Sequence, residues 1–285
     1  MLSSSTISFG RDTVVDFRES NGTIVKKRVF DVIGTGVVFY IKLYREKDTI
    51  VIPTIVTAKH VFNNPEEKYF PKSINVRFKW DEKKPLDKYF GVKIDLIDEK
   101  NQQRWIAHPN PSVDLASYPI IIDSSLSERQ ILPVLPYSII ANLENSFEAQ
   151  EIFALGFPGV GGLDYATKPI VRRGIISWIS PTNPNQIPFL VDCSVFPGNS
   201  GGPIFANLSG IGKSGGFYFG RGFSFMGIVS KGLSKINPVG SQNYPYIIDD
   251  KGGKILSTET FSLGIVEPAE RVRELLQITQ TLMNR

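Results

Sequence analysis

The chain reads as an all-β protein, and three observations point there. Short runs rich in β-branched and aromatic residues recur along most of its 285 residues, with turn residues between them. Helical spacing stands out only in the last segment, after Glu267. The hydrophobic content of 41% is ample for a sizeable core. Many short strands with few helical stretches predict a sandwich or barrel rather than a layered α/β fold.

In chain order, the first strand runs fall at Thr13–Phe17, Ile33–Leu43, Thr49–Thr57, Ile74–Phe78, Phe90–Leu96 and Asp114–Ile121. They make one unit, residues 1–122. The stretch 123–150, with Ser-Ser-Leu-Ser and Leu-Pro-Val-Leu-Pro, reads as a crossing linker. A second unit, 151–266, holds the runs Glu151–Gly156, Pro169–Ile179, Phe189–Cys193, Pro203–Ala206, Phe223–Ser230 and Phe261–Val266. Over 267–285 a helix is expected. Pro268 suits its first position and Glu270 the positive end of its dipole. Val272, Leu275, Leu276, Leu282 and Met283 share one face at helical spacing. No second module is expected after it.

The most specific chemistry lies in Phe196-Pro-Gly-Asn-Ser-Gly-Gly-Pro-Ile-Phe205. Glycines on both sides of Ser200 let the backbone turn sharply and aim N–H groups at one spot, which acyl transfer by a hydroxyl requires. Alone, a glycine-rich turn with a serine is common loop material. Upstream, His60, one of only two histidines, ends the run Thr49-Ile-Val-Ile-Pro-Thr-Ile-Val-Thr-Ala-Lys-His60, and Asp114 stands alone in an apolar segment. The order His, Asp, Ser is that of one known triad arrangement. A satisfied histidine at a strand end and a turn-capping acid are the alternatives, weakened here by context.

Six stretches then resemble the trypsin-like serine peptidases: Gly34-Thr-Gly-Val-Val38, Thr57-Ala-Lys-His-Val61, Asp114-Leu-Ala116, Gly156-Phe-Pro-Gly159, Gly198-Asn-Ser-Gly-Gly-Pro203 and Gly227-Ile-Val-Ser-Lys-Gly232. The fourth resembles the HtrA-type branch. The resemblance implies two six-stranded antiparallel β-barrels with the active site between them, and the C-terminal helix packed on the second. It implies a serine endopeptidase with His60 as base, Asp114 orienting it and Ser200 as nucleophile. The N–H groups of Gly198 and Ser200 would form the oxyanion hole. Ser230 would back Asp114 and begin the strand, through Lys231 and Gly232, that pairs with an extended protein or peptide substrate.

Two departures carry information. Asn199 stands where relatives activated by cleavage have an aspartate that pairs with a new amino terminus. An amide cannot form that salt bridge, so such activation is not expected. The base of the specificity pocket maps onto Ser194, not an acid. Small or medium apolar residues are therefore expected on the acyl side of the cut bond.

Other features have plainer readings. His108 is expected to be exposed in a proline-rich turn, and residues 209–216 form a mobile glycine-rich insertion. The segment between Leu233 and Ser257 is expected to border the cleft. Two histidines and one cysteine do not assemble a convincing zinc site, and no cofactor is expected. A net charge of +4 with scattered basic residues gives no nucleic-acid face, and no run approaches a membrane span. Cys193 is the only cysteine, so no internal disulfide forms. With no signal-like amino terminus, a cytoplasmic location is expected. The same fold serving as a peptide-binding module, or as an enzyme held latent until a protein partner reorders the oxyanion loop, remains a competing reading.

Overall fold

The computed structural model describes residues 3–18, 22–45, 48–79, 89–120, 133–157, 168–218, 222–237 and 257–284. Residues 238–256, in the segment expected to border the cleft, lie outside them, as do Pro158, Gly159 and all of 121–132. The described residues are mostly β, in two large sheets and a two-stranded hairpin, with a C-terminal helix.

The first sheet contains β1 (Thr6–Arg18), β2 (Ile24–Tyr44), β3 (Thr49–Thr57), β4 (Ser73–Lys79), β5 (Tyr89–Asp95), β6 (Ile106–Ala107) and β7 (Ala116–Pro119). Its order is β5-β4-β1-β2-β3-β7-β6. It differs from a closed six-stranded barrel. It has seven strands and curls, with its edges brought together by a tight turn rather than a full ladder. There Arg104 N–H donates to Leu96 O (3.0 Å), and Ile97 bridges to Gln103.

The apolar run of β2 is nearly continuous because both its faces are buried. Val38 packs inward with Ile7, Phe9, Ile55 and Val76. Its neighbours Val37, Phe39, Ile41 and Leu43 face a second cluster containing Phe205, Phe225, Val272 and Leu276. Successive strand residues point to opposite faces. One strand therefore supplies its own sheet's core and the seam to the rest of the molecule.

The second sheet is a closed barrel, with order β10-β15-β14-β11-β8-β9. Its strands are β8 (Glu151–Gly156), β9 (Ile170–Trp178), β10 (Phe189–Asp192), β11 (Pro203–Asn207), β14 (Phe223–Asn237) and β15 (Ser257–Pro268). Ile152, Ile176, Phe189, Val191, Ile204, Met226 and Val266 fill it. The glycine-rich 209–216 stretch is built around a small hairpin of β12 (Gly210–Ile211) and β13 (Phe217–Tyr218). Leu135 and Ala141, upstream of β8, donate backbone N–H groups to Val38 O and Phe225 O, one on each sheet.

The C-terminal helix α2 (Ala269–Met283) follows the short α1 (Lys59–Phe62). Pro268 is its N-cap rather than its first residue. Val272, Leu275 and Leu276 are buried, whereas Leu282 is exposed and Thr279 takes a core place. The helix packs across the seam rather than on the second barrel alone. Ser117 and Thr279 hydroxyls meet at 2.6 Å, and Leu276 lies in the cluster shared with β2. His108 corrects the sequence expectation. It is buried, and its Nε2 lies 3.1 Å from Glu274 on α2. Burial opposes ionisation of Glu274, but hydrogen bonds from Gln186, Arg271 and His108 outweigh it and hold the carboxyl below its ordinary value.

Phe225 is the hub of the seam, edge-on to Phe39 (centroids 5.2 Å apart) and to Phe205 (5.8 Å). Phe225→Ala is expected to cost about 3–5 kcal/mol, because this rigid contact collapses only partly into the space left. A urea midpoint unchanged from the native protein would contradict that.

Candidate active site

The site forms where β3, β7, β11 and β14 converge. Strand β3 ends at Thr57, and His60 lies in α1 rather than at a strand end. Lys59 anchors that turn to the Asp114 loop, its ammonium donating to Pro111 O (2.9 Å) and Val113 O (3.2 Å). The His60 backbone N–H donates to Asp114 Oδ1 (3.1 Å), and His60 Nδ1 lies 2.7 Å from Asp114 Oδ2. Oδ2 also accepts from the Ser230 hydroxyl (2.6 Å). An acceptor-only carboxylate at Nδ1 selects the tautomer carrying its proton there, leaving Nε2 free to accept. Burial alone would raise the Asp114 carboxyl. The His60 ring, the Ser230 hydroxyl and the His60 backbone outweigh it, so it titrates below the ordinary carboxylate value.

Sequence reasoning missed Glu267, at the end of β15. It is buried, its Oε1 accepts from Asp114 N–H (3.0 Å), and its Oε2 has no hydrogen-bond partner among the described residues. Burial raises its pKa; the hydrogen bond from Asp114 N–H opposes that without cancelling it, and the Asp114 charge adds to the rise. The two carboxyls are thus pushed apart, one toward ionisation and one away from it. An acid directly before a helix-starting proline, in an otherwise apolar strand end, was the available signal.

Ser200 is placed by two consecutive turns. In 196–199, Asn199 N–H bonds Phe196 O (3.0 Å), with Pro197 second and Gly198 third at φ +90°. In 199–202, Gly202 N–H bonds Asn199 O (2.8 Å), with Ser200 second and Gly201 third at φ +85°. A positive φ at the third residue is the type II requirement, which glycine meets without strain. At Gly201 a β-carbon would also fall 1.9 Å from Thr35 O and 2.1 Å from Thr57 Oγ1. That closeness sets the Ser200 turn against residues just before His60.

The turns leave two N–H groups over. Asn199, Gly201 and Gly202 donate within the protein, whereas among the described residues Gly198 N–H and Ser200 N–H have no acceptor. Thr35 fixes this loop from the first sheet. Its N–H donates to Ser200 O (2.8 Å) and its hydroxyl to Gly198 O (2.7 Å), and it accepts from Phe157 N–H (2.9 Å). The structure therefore joins His60, Asp114 and Ser230 directly and brings the Ser200 backbone beside them. Among the described residues no hydrogen bond links the Ser200 hydroxyl to the His60 ring.

Of the expected substrate contacts, Ser194 is exposed, Lys231 is exposed, and Gly232 is half-buried against Val195. Ser230 is buried on Asp114 rather than open to a ligand. Cys193 is buried, and burial pushes its thiol pKa up, as an inert core sulfur requires.

A hydroxyl beside unfilled N–H donors, with an imidazole oriented by a carboxylate, is equipped for acyl transfer. Residues 34–210 match the family model of the trypsin-like peptidase domain, and the chain belongs to that family of peptide hydrolases. The match spans the His60, Asp114 and Ser200 segments, β3 to β7 and the second part of β2 in the first sheet, and β8 to β11 in the second. None of the curated proteins matches the chain.

Proposed function

We propose that the protein is a serine endopeptidase working through an acyl-enzyme intermediate. The observation that carries this reading is the unfilled Gly198 and Ser200 N–H pair, set beside a His60 ring held by Asp114. In the first half-reaction His60 Nε2 takes the Ser200 proton as Oγ attacks the peptide carbonyl. The imidazolium then returns that proton to the leaving amine. Asp114 remains ionised and stabilises the imidazolium. The negative charge on the tetrahedral oxygen meets the two N–H groups, and losing one such donor costs ~10²–10³-fold in turnover. Water repeats the sequence to release the acid and restore Ser200.

Strand β14 supports main-chain recognition of an extended substrate. Its pairing with β11 ends at Ile228, while Lys231 and Gly232 pair with β15 on the other side. Between Ser230 and Gly232 one edge is therefore open among the described residues, as strand addition needs. For the acyl-side residue, small or medium apolar side chains are proposed. No acid stands at Ser194, and the Arg172 guanidinium on its carbonyl (2.6 Å) opposes basic side chains.

A fluorophosphonate probe should label the native chain and not Ser200→Ala. An acyl-side peptide library should show turnover of alanine- or valine-type residues above lysine or arginine. A native protein that folds but takes no probe would return the fold to peptide binding or to partner-triggered activity. Labelling restored by a cell extract would select the latter.

A further inference from the structure

Arg172, on β9, also reaches under the loop that makes the N–H pair. Its Nη1 donates to Ser194 O at 2.6 Å, and its guanidinium carbon lies 4.3 Å from the centre of the Phe196 ring. With its oxygen toward Arg172, the Asn199 carboxamide accepts from Nη1 (2.8 Å) and from Phe196 N–H (3.3 Å). Asn199 is buried, and a β-carbon at Gly156 would come within 2.9 Å of its side chain, so the carboxamide sits against β8. Among the described residues no carboxylate lies within ion-pair distance of Arg172. A partly desolvated cation has little reason to face neutral acceptors unless their positions matter.

These three contacts flank the turn 196–199, at Ser194 and Phe196 before Pro197 and at Asn199 after Gly198. Thr35 grips the same turn from the other side through Gly198 O (2.7 Å). The direction of the Gly198 N–H is set by the peptide between those grips.

We propose that Arg172 is a positioning residue that locks the 194–199 loop with its N–H pair aimed at the reacting oxygen. It rests on the serine-peptidase reading above. The lock supplies a cation to the Asn199 carboxamide from β9.

The test compares native protein with Arg172→Met and Arg172→Lys, each also in a Ser200→Ala background. The readouts are kcat and KM on an activated ester, the rate of fluorophosphonate capture, and amide hydrogen exchange over 194–202. Arg172→Met is expected to lower kcat and probe capture by ~10²-fold, as loss of an oxyanion donor does. KM should stay within about threefold, because the interaction acts in the transition state. Arg172→Lys keeps a charge that reaches one acceptor at a time and should recover roughly tenfold of that loss. Exchange over 194–202 should rise in Arg172→Met even without the nucleophile. A role confined to packing β9 would lower stability and leave the kcat of folded protein alone. The lock is overturned if Arg172→Met turns over within threefold of native, or if loop exchange is unchanged. Faster exchange in a protein whose native form takes no probe would instead sink the peptidase reading and leave the lock standing.

Discussion

Ser200→Ala is expected to lower kcat by about 10⁶-fold, with His60→Ala added to it costing less than a further tenfold. The first figure is the loss expected when the nucleophile of such a unit is removed, Ser200 being the hydroxyl beside the unfilled Gly198 and Ser200 N–H groups. The second follows from interdependence. A base without a proton to take contributes nothing, so the two losses do not add. The fold should survive, because residue 200 is second in its turn and needs no positive φ. Unfolding midpoints of native and variant protein check that point. Residual turnover above ~1% in Ser200→Ala, or two losses that multiply, would mean that the chemistry runs elsewhere.

Asp114→Asn is expected to lower kcat by about 10⁴-fold with the fold intact. Oδ2 accepts from both His60 Nδ1 and the Ser230 hydroxyl. An amide nitrogen in that place donates, so the ring moves its proton to Nε2 and points a donor at Ser200. The wrong tautomer cannot receive the hydroxyl proton. Stability should respond as well. Because folding depresses the Asp114 carboxyl, its contribution is present above its ordinary value, about 4, and disappears as pH falls through the lower folded value. Acid titration of stability in Asp114→Asn should therefore be flatter below about pH 4. Equal acid sensitivity in both proteins would remove that carboxyl from the account.

The candidate site was legible in the sequence to the extent that its chemistry is carried by short contiguous words. Gly198 through Pro203 encodes two turns locally, since proline second and glycine third are demands of the turn itself. Most strands were legible for the same reason. What escaped depends on partners distant in the chain. His108 looks like a surface histidine in Ala-His-Pro-Asn-Pro until Glu274, 166 residues later, is placed on it. Arg172 reads as half of a solvated Arg-Arg pair, because nothing near it in sequence shows that Ser194 and Asn199 fold over it. The first sheet's departure from a closed barrel is also non-local, set by how far the strand edges close around Phe9 and Phe62.

Thr35 has a consequence beyond geometry. One residue of the amino-terminal half grips the nucleophile loop at two points, Ser200 O and Gly198 O, and takes a third bond from Phe157 N–H, so the halves cannot part without spoiling the reaction centre. On the peptidase reading, the reaction centre is therefore preassembled across the two halves, and an extended chain that adds to the open edge of β14 is the form of substrate this arrangement favours.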